Sequence, residues 1–426
     1  MKLFSTAVCL LLCVTAFAQD IRSYVTANTA RVATVDATSD EYADLTTVGQ
    51  AIGEARVVML GEQDHGDGAA FQAKTRLVKY LHERKGFTVL AFESDFYGLT
   101  TGWDQLAKQP DSVRYFLQQN IFRNWAHSAD CRYLLQQYIP QSFQTSSPLN
   151  VTGFDSQLYL LYSYTHLKKD LDTYLVSQGI ASKFSSAATY QAFLEAVEGA
   201  IAEQRKPGAF RPDMRKTLEN GLQLVGEVQL AAHDTSAWQR VAESLRAFIV
   251  KDRVLAEVAR DKAMADNLTF LLTHQYKDAK VIVWAANQHI MKHTDQLPSK
   301  GKDFDKVMRH KMGTYFVQDP QWARQTYVLG FASYQGTAGR LDTAPYTYTV
   351  QVPDVNGLET WVPASIDYGF LDFTSYNKQF NYPATPFLLK SPSHYTVPAR
   401  VALIAWNLVY DGLFFIRDMQ ATTKSE

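Results

Sequence analysis

VVMLGEQDHGDGAAFQAKTRLVKYLHERKGFTVLAFESD, residues 57–95, reads as a strand, a glycine-rich turn, a helix and a second strand. Val57 to Leu60 and Val89 to Phe92 are short continuous apolar runs bounded by glycine or polar residues, the pattern of strands buried on both faces of a parallel sheet. Between them Phe71, Leu77, Val78 and Leu81 form a helical stripe, and Gly86 supplies its stop. Together they make one βαβ unit.

Working outward, runs of the same kind recur at Val151 to Phe154, Val281 to Ala286 and Tyr327 to Phe331. From about 157 to 276 the pattern turns helical, as in TYQAFLEAVEGAIAEQ and MRKTLENGLQLVGEVQLAA, and a block this long exceeds a single crossover. The expected fold is therefore α/β: a mainly parallel central sheet flanked by helices, with a helical insertion forming a cap. Within the insertion Arg260, Met264 and Asn267 recur at i, i+4 and i+7 and share a face. Leaving the sheet after its third strand, the insertion is expected to wall the crevice at the strand ends. Pro383, Pro386, Pro392 and Pro398 make the stretch from Tyr382 to Pro398 an expected extended surface loop.

A chain of 426 residues with 46% hydrophobic and 20% charged residues has the material for a large core. The net charge is −1 and no basic run appears, which argues against a nucleic-acid partner. The opening MKLFSTAVCLLLCVTAFAQD has Lys2 as its one basic residue, then a short apolar run, then Ala16-Phe17-Ala18. These are the marks of a secretory signal peptide over 1–18, with 19–426 as the mature domain. No later apolar run is long enough to cross a bilayer, so no stable membrane insertion is expected after cleavage, and the destination is the periplasm or the medium. Cys9 and Cys13 would leave with the signal, and Cys131 alone cannot form an internal disulfide.

Each apolar run is followed by polar residues: Glu62 after the first, Glu93 and Asp95 after the second, Asp155 after the third, Asn287 and His289 after the fourth. Ligands of open α/β sheets bind outside the carboxyl ends of the strands, so these side chains are expected to converge on one crevice. Taken singly each would pass for a turn or cap residue, but Glu and His seldom serve as caps. GEQDHGDG sets Glu62 and His65 three apart in a turn. An imidazole titrates near pH 6.5, and a neighbouring carboxylate fixes its tautomer and makes it a competent general base. Gly61, Gly66 and Gly68 allow close backbone approach. Lys74 and Arg76 lie on the following helix, where the simplest reading is a solvated face; turned toward the loop, Lys74 would bind an oxyanion or a substrate carboxylate.

The 57–95 stretch resembles the opening of the erythromycin esterase family: a strand, GE-x-x-HG, a helix with a Lys, then GF and a strand ending in Glu. RDKAMADN at 260–267 is similar to that family's R-D-x-x-M-A-x-N helix, and VIVWAANQHI at 281–290 to its strand leading to N-x-H. MGTYF, YVLGFASYQGT and WNLVYDGLFFIRD continue the likeness along nearly the whole mature chain. The resemblance implies hydrolysis of a small-molecule ester or lactone, the macrolide lactone being the substrate behind the family's name. It carries over Glu62, His65, Glu93 and His289 as catalytic residues and Lys74 from the helix. Arg76, Asn287 and Asp155 are candidates for substrate binding, and no cofactor is called for. Two departures bear on substrate: Ala286 stands where a histidine is common, and Asp67, Gly68, Ala69 and Ala70 follow the HG pair.

Other chemistries remain open on the residues. Glu62, His65, Glu93, His289 and His293 are all capable metal ligands, although Glu62-x-x-His65 is not H-E-x-x-H. Ser94 and Ser156 follow strands, but no G-x-S-x-G elbow is present. A periplasmic small-molecule binding protein that kept the fold and lost the chemistry is the reading from outside the enzymes, and Ala286 keeps it open.

Overall fold

The computed structural model describes residues 21–298, 305, 308–341, 344–384, 386–394 and 403–425; the expected signal peptide lies outside them. In chain order the strands used below are β1 (Ala30–Val32), β2 (Val57–Leu60), β3 (Phe87–Asp95), β4 (Asn150–Asp155), β5 (Lys280–Trp284), β6 (Thr326–Arg340), β7 (Tyr346–Thr349), β8 (Tyr368–Asp372), β9 (Phe387–Leu388), β10 (Leu403–Ile404) and β11 (Gly412–Met419). The chain forms two compact units. One comprises Met1–Thr88, His127–Leu134 and Lys280–Glu426, the other Val89–Ala126 and Leu135–Ala279.

In the first unit the strands run in the order β1-β8-β11-β6-β2-β5. The pairings β11 with β6, β6 with β2 and β2 with β5 are parallel, whereas β1 and β8 add antiparallel strands at one edge and β7 folds back on β6. The α/β expectation holds, with the parallel strands at the centre of this sheet. All four side chains of β2 are fully buried, as a strand covered on both faces requires. Each apolar side chain removed from water in this way contributes about 1.5–3 kcal/mol.

Helix α1 (Gly68–Lys85) follows β2 and ends at Gly86, whose φ of 74° is the left-handed C-terminal stop read from the sequence. Its polar residues Arg76 and Lys79 are not solvated. Arg76 is buried and grips both carboxylate oxygens of Asp44, at 2.7 and 2.9 Å, while donating to Thr34 O and Glu41 O. Lys79 pairs with Asp40 at 2.9 Å. The segment before β2 thus covers the face that helical periodicity assigns to water, and it does so by ion pairing, which leaves no apolar trace in the sequence.

The expected surface loop from Tyr382 onward is also corrected, Tyr395 to Pro398 lying outside the described residues. Phe387, Leu389, Lys390, Ser391 and His394 are buried, and β9 pairs antiparallel with β10. Proline forbids helix but not burial, provided the backbone polar groups find partners. Here Lys390 N–H donates to Glu359 at 2.7 Å, and Lys390 O and Ser393 O accept from Gln63.

In the second unit β3 and β4 pair in parallel, followed by helices α2 (Leu161–Ser177), α3 (Ala187–Arg205), α4 (Pro212–Ala231), α5 (Ala237–Phe248) and α6 (Arg253–Phe270). Met264 is fully buried and Asn267 donates to Phe154 O at 3.1 Å, so the face shared by Arg260, Met264 and Asn267 lies along β4.

Candidate active site

The turn between β2 and α1 holds Glu62 and His65. A strand that ends in glycine and restarts as a helix must reverse the backbone tightly, and close packing shows why glycines stand there. A Cβ on Gly61 would meet Asn287 Oδ1 at 2.0 Å, and one on Gly66 would lie 1.0 Å from Gly339 O. Glu62 is fully buried. Its Oε1 lies 2.9 Å from His65 Nδ1, and its Oε2 accepts from Lys74 Nζ at 2.5 Å. His65 retains 15% of its side-chain exposure, so the imidazole sits at the margin of the solvent while its carboxylate partner does not.

Lys74, nearly two turns into α1, is fully buried. Its ammonium also donates to Ala285 O at 3.3 Å and lies 4.1 Å from the Trp284 ring centroid. The cation is turned to Glu62 and the end of β5, where it holds the buried carboxylate in place. Asn287 occupies the turn after β5. Its amide clasps the β6 backbone, donating to Phe331 O at 2.7 Å and accepting from Phe331 N at 2.9 Å, and its own N–H donates to Glu62 O at 2.7 Å. His289 is buried two residues on, with Nε2 3.4 Å from the Gln288 amide nitrogen. The residues after β2 and β5 are therefore brought together within this unit by Asn287 and Lys74.

The second unit carries the other strand-end carboxylates. Arg260 of α6 reaches the carboxyl ends of β3 and β4, donating to Glu93 at 2.9 Å and bidentately to Asp155 at 3.0 and 2.6 Å. Planar guanidinium geometry suits this two-carboxylate bridge. Ser94, within β3, is engaged by the backbone, its Oγ accepting from Phe122 N at 2.9 Å. Asp95 is buried and accepts from Gly98 N at 2.9 Å, Ser163 Oγ at 2.7 Å and Leu160 N at 3.0 Å, which ties the start of α2 to the end of β3.

Burial pushes the Asp95 carboxyl up from 3.8 to about 6, against the pull of those three donors, and the Asp155 charge raises it further. A raised carboxyl favours the protonated folded state. The stability it contributes is full below its unfolded value and is lost as the pH rises through about 6, a loss of about 3 kcal/mol. Asp95→Asn is expected to abolish that slope. In urea melts the stability of the variant relative to wild type should rise by about 3 kcal/mol between about pH 4 and 8. A difference independent of pH would show that Asp95 does not titrate in this window.

Further polar residues around the turn have no counterpart in the sequence reading. Asp64 pairs with Arg340 Nε at 2.6 Å and accepts from Tyr348 OH at 2.5 Å. Asp67, met in the sequence only as a departure, lies 2.6 Å from His394 Nε2. No local pattern marks these partners, which are more than 250 residues apart in the chain. Among the described residues no group of three or more His, Cys, Asp or Glu side chains is placed to hold a metal ion. Burial raises the Cys131 thiol well above its usual value, which keeps it unreactive.

A model described as erythromycin esterase matches residues 82–395, a span that begins after Lys74 and takes in Glu93, Asp155, Asn287 and His289. YbfO of Bacillus subtilis (strain 168), which carries a provisional hydrolase name, is 25% identical over 331 residues, covering 71% of this chain and 70% of that protein. Erythromycin esterase type II of Escherichia coli is 21% identical over 295 residues, 59% of this chain and 65% of that one. Among solved structures, a succinoglycan biosynthesis protein aligns at a TM-score of 0.68 and 15% identity, covering 96% of this chain and 98% of its own. An erythromycin esterase mutant in its open conformation aligns at 0.63 and 14% identity, covering 92% and 97%. At these identities the structural likenesses establish the fold.

Proposed function

Because this chain belongs to the erythromycin esterase family, we propose that it is a hydrolase that cleaves a carboxylic ester or lactone with a water activated by His65. The observation that carries this reading is the 2.9 Å contact between His65 Nδ1 and a Glu62 carboxylate whose other oxygen is held by Lys74. An ionised carboxylate accepts, so Nδ1 carries the ring proton and Nε2 is the basic nitrogen. Water gives a proton to Nε2 as its oxygen bonds to the ester carbonyl carbon. When the tetrahedral intermediate collapses, the carbon–alkoxide bond breaks and the departing alkoxide takes that proton. Lys74 acts through Glu62. In this reading His289 serves as a second acid or base. The chain is proposed to be exported to the periplasm or medium after cleavage behind Ala18.

The test is rapid-quench hydrolysis of an activated ester, and of a macrolide lactone, with intact-protein mass analysis of exported material. We expect turnover without an acylated enzyme and a chain beginning at Gln19. A product burst with acyl mass on Ser94 or Ser156 would replace the direct-water mechanism by serine catalysis. Ligand binding without hydrolysis of any ester would favour a binding protein.

A further inference from the structure

The GEQDHGDG turn is fastened at Gln63 and Asp67 as well as at Glu62, and the fastening uses a buried histidine that the hydrolytic scheme leaves idle. Asp67 is fully buried. One of its oxygens accepts from the backbone N–H groups of Asp64, at 2.9 Å, and Gln63, at 3.2 Å, which curls the turn around His65. The other oxygen meets His394 Nε2 at 2.6 Å. Gln63 is held in parallel. Its Nε2 donates to Lys390 O and Ser393 O at 2.5 and 3.2 Å, which sets the amide orientation, and its Oε1 accepts from Ser333 N and Oγ at 2.8 and 2.9 Å.

Counting hydrogens assigns the rest. Between two oxygens only the Ser333 hydroxyl can supply the proton, so Ser333 Oγ donates to Gln63. It can then only accept from His394 Nδ1, at 3.1 Å. His394 therefore carries a hydrogen on Nδ1, and its Nε2 shares a second one with Asp67. It is a cross-link, not a base waiting for substrate. The backbone on either side of the tip is closed as well: Thr422 N donates to Gly66 O at 2.9 Å, Gly68 N donates to Gln420 O at 2.8 Å, and Gly339 leaves no room beside Gly66.

We infer that His394, acting through Asp67 and alongside Gln63, is a positioning residue that sets where His65 stands, so that the segment 390–394 controls the rate of hydrolysis without touching the substrate. The inference rests on His65 being the reacting base, and its test includes a readout independent of turnover. His394→Ala is expected to lower kcat by about 10- to 100-fold with KM changed by less than about threefold, the signature of a base displaced by a fraction of an ångström. In histidine-labelled protein the Nδ1 proton of His65, bonded to Glu62, should give a slowly exchanging downfield resonance that is lost in the variant.

Asp67→Ala should behave like His394→Ala, and Asp67→Asn should restore kcat. An asparagine oxygen still accepts the two backbone N–H groups, and its NH₂ donates to Nε2 of a neutral His394. A merely structural role predicts lowered thermal stability with kcat and the His65 resonance unchanged, and that result would overturn the inference. Should His394→Ala fail to fold, Ser333→Ala carries the test. A broadened resonance with reduced kcat supports the cross-link, and wild-type values of both overturn it. If the resonance is lost in His394→Ala while His65→Ala still hydrolyses ester, the cross-link stands and the reading of His65 as base falls.

Discussion

Replacing His65 by Ala is expected to lower kcat/KM for ester hydrolysis by about 10²- to 10⁴-fold while the protein folds as before. The size follows from what the imidazole supplies. Without a positioned base, water must attack as neutral water or wait for hydroxide, and removing a general base costs a factor in this range. The fold should tolerate the change because the side chain is partly exposed and the turn is held by the backbone bonds of Asp67, Gly66 and Gly68. Steady-state kinetics beside a thermal melt separates the two quantities. A melt near that of wild type with activity within about threefold would remove His65 from the mechanism.

Lys74→Met is expected to be the most destabilising single change at the site, by about 3–5 kcal/mol, because it leaves the Glu62 carboxylate buried without its cation. Methionine matches the length of the lysine stem but lacks the ammonium that faces Glu62 and the Trp284 ring, so the loss is chiefly electrostatic. Activity should fall too, since a Glu62 that escapes its charge by taking up a proton no longer selects the Nδ1–H tautomer of His65. Adding Glu62→Gln to Lys74→Met removes the stranded charge and should recover most of the stability without recovering activity. Urea denaturation of the two single variants and the double variant measures the coupling. Stability losses that simply add would mean that the ion pair is not what holds Glu62.

A great deal of this was legible along the chain. Val57 to Leu60, Val89 to Phe92, Val151 to Phe154 and Tyr327 to Phe331 all lie in strands, because a strand covered on both faces is apolar throughout and leaves an unbroken run. The run at Val281 to Ala286 ends in the structure at Trp284, the last two alanines forming the turn. The helix stop at Gly86 was legible because a left-handed residue is favourable only for glycine there. The pairing of Glu62 with His65 followed from their separation of three within one turn. Arg260, Met264 and Asn267 were placed on one face by helical spacing alone, but their partners Asp155, Glu93 and the Phe154 carbonyl were not.

Periodicity and backbone preference suffice for the strand–helix–strand opening, the parallel runs, the helical block and the GE-x-x-HG turn, since each depends on residues within a few positions of one another, whereas the partners of β2, which are β5 and β6, come from far along the chain. Tertiary structure alone decided that Lys74 faces Glu62 and not solvent, that Arg76 and Lys79 are buried under the segment before β2, and that the proline-rich stretch is packed inward. It alone brought His394 to Asp67, 327 positions away in the chain. The physical reason is the same in each case. A buried charge or polar group is tolerated only where a partner arrives from elsewhere to satisfy it, and which partner arrives is set by the folded path of the backbone, on which no local pattern of residues bears.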